Sequence, residues 1–145
     1  MARASRTIEI GVPPEAFFRV LQDYQSYPEF VPELKAVKVG PRSGNTLDVT
    51  YFLDVKIKVY EYTLRHVEEA PLRADWQLVR GGELMKRDSG SWVLEAISSG
   101  TRATYSIELE LGPLVPRGLE KALEERGLPN LLANFKARAE KLQRG

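Results

Sequence analysis

The sequence predicts an α+β domain in which an antiparallel meander is covered by one long C-terminal helix. Three observations carry that prediction. Residues 103–111 alternate strictly, with Ala103, Tyr105, Ile107, Leu109 and Leu111 against Thr104, Ser106, Glu108 and Glu110, the period of a half-buried strand. Breaks at Gly40-Pro41, Ser43-Gly44-Asn45, Gly81-Gly82 and Ser99-Gly100 are short enough to be tight turns, so consecutive runs pair antiparallel. Finally, Leu128, Leu131, Leu132, Phe135, Ala139 and Leu142 fall at offsets of 0, 3, 4, 7, 11 and 14, one face of a helix.

The elements follow in chain order. Residues 5–11 alternate as a first strand, which Val12-Pro13-Pro14 ends. Proline is tolerated in the first turn of a helix because the N–H it lacks would have no partner there. From Pro14 onward Ala16, Phe17, Val20 and Leu21 take helical spacing, up to Asp23-Tyr24. Ser26 to Pro32 mixes prolines with aromatics and reads as a single helical turn. Period two returns at Ala36-Val37 and Val39, then through Val49, Tyr51, Leu53 and Val55. Over residues 58–68, Tyr60, Tyr62, Leu64 and His66 share one face, and Val59, Glu61, Thr63 and Arg65 the other. Which face of residues 58–80 points inward is left open by periodicity alone. Ala74, Trp76 and Leu78 form the next strand, and residues 83–97 a long one with a break expected near Ser89-Gly90. Beyond Gly112-Pro113, Leu114, Val115, Leu119, Ala122 and Leu123 resume helical spacing, and Gly127 with Pro129 is expected to split the C-terminal segment in two. The layout is about seven strands, with two short helices after the first.

Composition narrows the chemistry. With 145 residues, 43% of them hydrophobic, the chain reads as a single domain over residues 1–145. At that size roughly 68–70% of the unfolded surface is buried, so neither disulfide nor metal is needed. Zero Cys excludes cysteine nucleophiles, zinc ribbons and iron–sulfur sites, and a lone His66 excludes two-histidine metal motifs. The 21 basic and 20 acidic residues leave +1, so no DNA partner is expected. No apolar run approaches the ~20 residues of a membrane span. Met1 to Arg6 is basic without an apolar stretch, which reads as no secretory signal and a cytoplasmic location. No nucleophile elbow, phosphate loop or dinucleotide fingerprint is present, and no metal or cofactor is implied.

The segment Asp23-Tyr24-Gln25-Ser26-Tyr27-Pro28-Glu29-Phe30-Val31-Pro32, with Gly90-Ser91-Trp92-Val93-Leu94 and Gly100-Thr101-Arg102-Ala103-Thr104-Tyr105, carries a resemblance. Together with the element order over nearly the whole chain, it resembles the START-like (SRPBCC) superfamily, and within it the polyketide cyclase/dehydrase and coenzyme Q-binding family. The resemblance implies a helix-grip (START/Bet v 1-like) fold, a curved sheet wrapped around the C-terminal helix, with a hydrophobic tunnel between them. It implies a lipid, quinone or polyketide-like small-molecule ligand, held by a carrier or chaperone. The enzymatic alternative is a polyketide cyclase/dehydrase (aromatase/cyclase), and a third is a ribosome-associated interaction protein. The sequence sets no oligomeric state.

Within that frame the candidate ligand-binding residues are Tyr27 and Phe30 at the tunnel rim, Tyr51 and Leu53, Trp76, Trp92, Tyr105, Ile107 and Leu109 on the strands, and Leu131, Leu132 and Phe135 on the helix. Tyr and Trp join an apolar body to one hydrogen-bonding handle, which suits a large, partly oxygenated ligand. Packing explains the same residues: aromatics favour strands, and Pro28 and Pro32 stiffen a short connector. Arg65 and His66 are the candidates for proton transfer or oxyanion stabilisation, with Glu61 and Asp75 beside them. The plainer reading makes these solvated strand residues or surface ion pairs. Glu68 and Glu69 read as a solvated acidic turn, leaving His66 without a fixed carboxylate neighbour.

Overall fold

The computed structural model describes residues 2–144. Strand β1 (Ala2–Ile10) is followed by helix α1 (Pro14–Gln22) and a 3-10 segment (Tyr24–Glu29). Six strands come next: β2 (Leu34–Val39), β3 (Thr46–Asp54), β4 (Val59–Glu69), β5 (Arg73–Arg80), β6 (Met85–Ile97) and β7 (Gly100–Leu111). They form one antiparallel sheet in the order β1-β7-β6-β5-β4-β3-β2. Consecutive strands β2 to β7 are therefore neighbours, as their tight turns require. Strands β1 and β2 are sequential yet sit at opposite edges, so α1 and the 3-10 segment carry the chain from one edge to the other.

Pro14 starts α1, and the Pro13 carbonyl accepts from the amides of Ala16 and Phe17. Phe17, Phe18, Val20 and Leu21 are buried, filling the closed side of the sheet. On β7 the inward residues are Tyr105, Ile107 and Leu109, and on β4 Tyr60, Tyr62, Leu64, His66 and Glu68. Register shifts at Leu34/Ala36, Thr63/Leu64 and Met85/Arg87 mark bulges, which bend strands and deepen the curvature.

Four expectations need correction. Strand β6 is not broken at Ser89-Gly90. Gly90 instead makes room for an indole: a Cβ there would lie 2.2 Å from the Ser106 carbonyl oxygen and 2.4 Å from the Trp76 ring. Leu114 and Val115 are not helical; Leu114 is exposed in a turn, and helix starts only after Gly118, whose φ is +84°. Nor do Gly127 and Pro129 split the C-terminal segment. Helix α2 (Leu119–Ala122) runs through one π-helical turn (Leu123–Gly127) straight into α3 (Leu128–Arg144). Pro129 has no N–H for the carbonyl four residues back, and its ring crowds it. The wider π turn falls on those residues and relieves the clash without a break. Leu142, placed on the apolar stripe by spacing, lies past the edge of the sheet cover and is exposed.

Candidate functional site

Between the concave sheet face and the C-terminal helix lies a cavity of about 300 Å³. That is at the small end of the range for ligand pockets. Its floor is built by Tyr51 and Leu53 of β3, Tyr62 and Leu64 of β4, Trp76 of β5, and Tyr105, Ile107 and Leu109 of β7. Leu123, Leu128, Leu131 and Phe135 close it from above. The cavity exists because the sheet is wider than the helix face can fill. α3 packs an aromatic cluster at one end, where the Trp92 ring lies 4.9 Å from Tyr105, 5.3 Å from Phe17 and 5.6 Å from Phe135. Among Leu119–Gly127 no residue is buried, and the space beneath that stretch is left open.

The polar groups in the wall fall into two sets. Around His66, the hydroxyls of Tyr51 and Tyr24 and the Glu68 carboxylate all have partners. His66 Nε2 lies 2.7 Å from the Tyr51 hydroxyl, and the Tyr24 ring is 4.7 Å from the imidazole. The Tyr24 hydroxyl donates to Glu68 at 2.7 Å, Gln22 donates to the same carboxylate, and Arg42 forms an ion pair with it. Burial pushes the His66 pKa down to about 4, so the ring is neutral. The same desolvation drives the Tyr51 and Tyr24 hydroxyls well above their usual value, so both stay protonated. A neutral imidazole against a protonated phenol can accept or return a proton, the minimum for general acid–base work. The second set centres on Asp88. It is buried, accepts from the Trp76 indole N–H at 2.9 Å, and burial pushes its pKa up to about 6.

Most of the sequence-derived residues meet at this cavity: Tyr27, Tyr51, Leu53, His66, Trp76, Trp92, Tyr105, Ile107, Leu109, Leu131 and Phe135 all line it. Three do not. Phe30 lies outside the wall, its ring 5.0 Å from Phe135 and covered by the Arg138 guanidinium at 5.2 Å. Leu132 is buried in the core and does not border the cavity, because it lies one residue round the helix from Leu131. Arg65 points to the convex face and forms a two-pronged ion pair with Asp48, at 2.9 and 3.2 Å. Glu61 and Asp75 likewise lie outside the wall, Asp75 bound by Arg73. Glu68 is not a solvated turn residue. It continues the inward parity of Tyr62, Leu64 and His66, and three neighbours satisfy its charge. Asp88 was missed although its parity was readable, two residues before Gly90 and four before Trp92 on the same face.

A curved antiparallel sheet gripping a C-terminal helix around an aromatic-lined cavity defines a START-like helix-grip protein. The family model described as "Polyketide cyclase / dehydrase and lipid transport" matches residues 10–136, and the chain belongs to that family. No curated protein sequence matches it significantly. Solved structures do. The Zhui aromatase/cyclase from Streptomyces sp. R1128 is 16% identical, with a TM-score of 0.81 over 97% of this chain and 94% of that one. A START superfamily protein from Mycobacterium smegmatis is 17% identical, with a TM-score of 0.82 over 97% and 98%. A STAR-related lipid transfer protein from Xanthomonas axonopodis is 13% identical, with a TM-score of 0.77 over 94% and 85%. At such identities the likeness is one of fold. Among the described residues no helix is long and apolar enough to cross a membrane.

Proposed function

We propose that the protein binds an apolar small molecule, of the lipid, quinone or polyketide-like class, in the cavity beneath its C-terminal helix and acts as a carrier. The observation that carries this reading is the cavity itself: about 300 Å³ bounded by aromatic and aliphatic side chains of both sheet and helix. Leaving such a volume unfilled sacrifices dispersion contacts, a cost that an occupant recovers. Membership of a family described by cyclisation, dehydration and lipid transport supports the class of ligand. Native mass spectrometry of protein purified from its own source tests it. A bound apolar species of defined mass is expected, and its removal by solvent extraction. Trp76 and Trp92 both border the cavity, so a long-chain quinone should quench their fluorescence saturably, and more tightly than a tailless one. Equal affinity for both would overturn the cavity assignment.

A second reading rests on the Tyr51–His66 contact, which places a neutral base and a phenol at one wall. It makes the protein a cyclase/dehydrase that shuttles one proton to a bound poly-β-ketone. His66→Gln keeps a hydrogen bond to Tyr51 and removes the base. Unchanged ligand binding with lost turnover supports the enzyme; no turnover by the parent protein leaves the carrier. Arg65→Ala should change neither, since Arg65 lies on the opposite face of the sheet.

A further inference from the structure

The polar groups of the cavity wall are unequally provided for. Tyr24 is bound to Glu68, Tyr27 to the Leu21 carbonyl at 2.6 Å, and Tyr51 to His66. Among the tyrosine and aspartate groups of the wall, three atoms have no hydrogen bond to the described residues: the hydroxyls of Tyr62 and Tyr105, and the Asp88 carboxylate oxygen that Trp76 does not reach. Among the described residues, no side-chain oxygen or nitrogen sealed from solvent lacks a hydrogen bond. These three atoms must therefore border open space, and the open space their residues share is the cavity. All three residues border the same cavity. The Tyr105 ring lies 5.3 Å from Trp76, whose indole binds Asp88, and the charge of Asp88 adds to the upward push on both phenols. Two phenolic donors and one carboxyl acceptor are the complement of an oxygen that accepts and also carries a hydrogen.

The charge of the wall adds a second constraint. Its acidic residues are Glu33, Asp88, Glu120 and Glu124, and no Lys or Arg is among the described lining residues. A carboxylate brought into this space would meet Asp88 across a low-dielectric interior with no cation to offset it.

From this juxtaposition we propose that Asp88, Tyr62 and Tyr105 form a subsite for the hydroxyl head of an uncharged apolar ligand, and that the same subsite turns away fatty-acid carboxylates. The proposal rests on the cavity-binding reading above and narrows it. A hydroxyl placed there accepts from a tyrosine and donates to the free Asp88 oxygen, while the chain behind it lies against Ile107, Leu109 and Leu123. Apolar bulk fits the cavity; the head decides which bulk is kept.

Calorimetric titration of the full-length protein at pH 7.5 with decanol and with decanoate tests this, since the two share a chain and differ in the head. Decanol should bind at least roughly tenfold tighter than decanoate, a gap of about 1.4 kcal/mol. Tyr62→Phe and Tyr105→Phe each remove only an oxygen and should weaken decanol roughly 3- to 10-fold, the worth of one hydrogen bond. Asp88→Asn keeps an oxygen for the Trp76 indole and removes the charge, so decanoate should gain and the gap narrow. Equal affinities for the two probes in the parent protein overturn the subsite while leaving the cavity reading standing. So do tyrosine variants that bind decanol as the parent does. Failure of both probes and of long-chain quinones to bind at all overturns the cavity reading, and the subsite with it.

Discussion

The two halves of the C-terminal helix lie over the same sheet and do opposite things. α3 buries Leu128, Leu132, Phe135 and Ala139 and packs against α1 and β1. Its Phe135 ring sits 5.1 Å from Tyr27, 5.6 Å from Trp92 and 6.5 Å from Phe17, all edge-on. Leu119–Gly127 has no fully buried residue, passes from α to π geometry at Leu123, and turns Leu123 and Gly127 toward the cavity. One half is core. The other is a roof over space that side chains do not fill. A continuous helix thus divides its work: amphipathic spacing sets which side faces the sheet, and the depth of the sheet beneath sets whether that side is packed.

The largest effect should come from the packed half. Phe135→Ala removes a ring at the meeting point of α1, the 3-10 segment and β6, and should cost about 3–5 kcal/mol in chemical denaturation. A loss below roughly 1.5 kcal/mol would mean that the Phe135 ring mostly faces the cavity it borders and not the aromatic cluster, and would dissolve the contrast between the halves.

Titration sharpens the same contrast between a sealed interior and an open one. His66 is enclosed by Tyr51 and Tyr24, and its pKa is lowered from 6.5 to about 4. The unfolded chain takes up that proton first, so the stability His66 contributes is complete above pH 6.5 and lost as pH falls toward 4. Asp88 behaves in reverse. Raised from 3.8 to about 6, it contributes stability below pH 3.8 that is lost as pH rises through 6. Each contribution is on the order of 3 kcal/mol over its window. They oppose one another, and the parent protein should change little in stability between pH 4 and 6. Asp88→Asn should expose the histidine, with a midpoint falling steadily in acid; His66→Gln should expose the aspartate, with a midpoint rising. If Asp88→Asn leaves the pH profile untouched, water in the cavity already solvates Asp88 and that part of the interior is wetter than its burial implies.

How much of this was legible in the sequence differs between the halves for the same reason. Strand parity identifies the β7 part of the floor directly, because Tyr105, Ile107 and Leu109 must share a face once one of them points inward, whereas Tyr62 and Leu64 of β4 needed the fold. The apolar spacing of α3 gave its buried stripe. Parity also assigns Glu68 and Asp88 to the inner face, but charged residues are expected in water, and only the fold shows Arg42, Tyr24 and Gln22 converging on one and Trp76 on the other. Parity puts Arg65 and His66 on opposite faces, but periodicity alone leaves open which face points inward, so both stand as candidates in the sequence. The ion pair across to Asp48 depends on strand register that turns alone do not fix. Leu132 and Phe30 were misplaced because sequence separates inside from outside, and not core from cavity. The π turn left no sequence signal apart from Gly127 and Pro129, which equally describe a break.

The smallest effect should come from the roof. Leu123→Ala shortens a half-buried side chain that already borders open space. A buried leucine costs about 2–5 kcal/mol on truncation because a new void is added to the lost transfer energy. Here the void exists beforehand and part of the side chain is in water, so the loss should be about 1 kcal/mol or less in denaturation. Ligand binding should suffer more than stability does, since the same side chain is what the occupant would touch. Quinone titration by Trp fluorescence on this variant reads that directly: weaker binding with a nearly unchanged denaturation midpoint is expected. A core-sized loss of stability with unchanged affinity would mean that Leu119–Gly127 is packed in solution like α3, and that the helix has one role along its whole length.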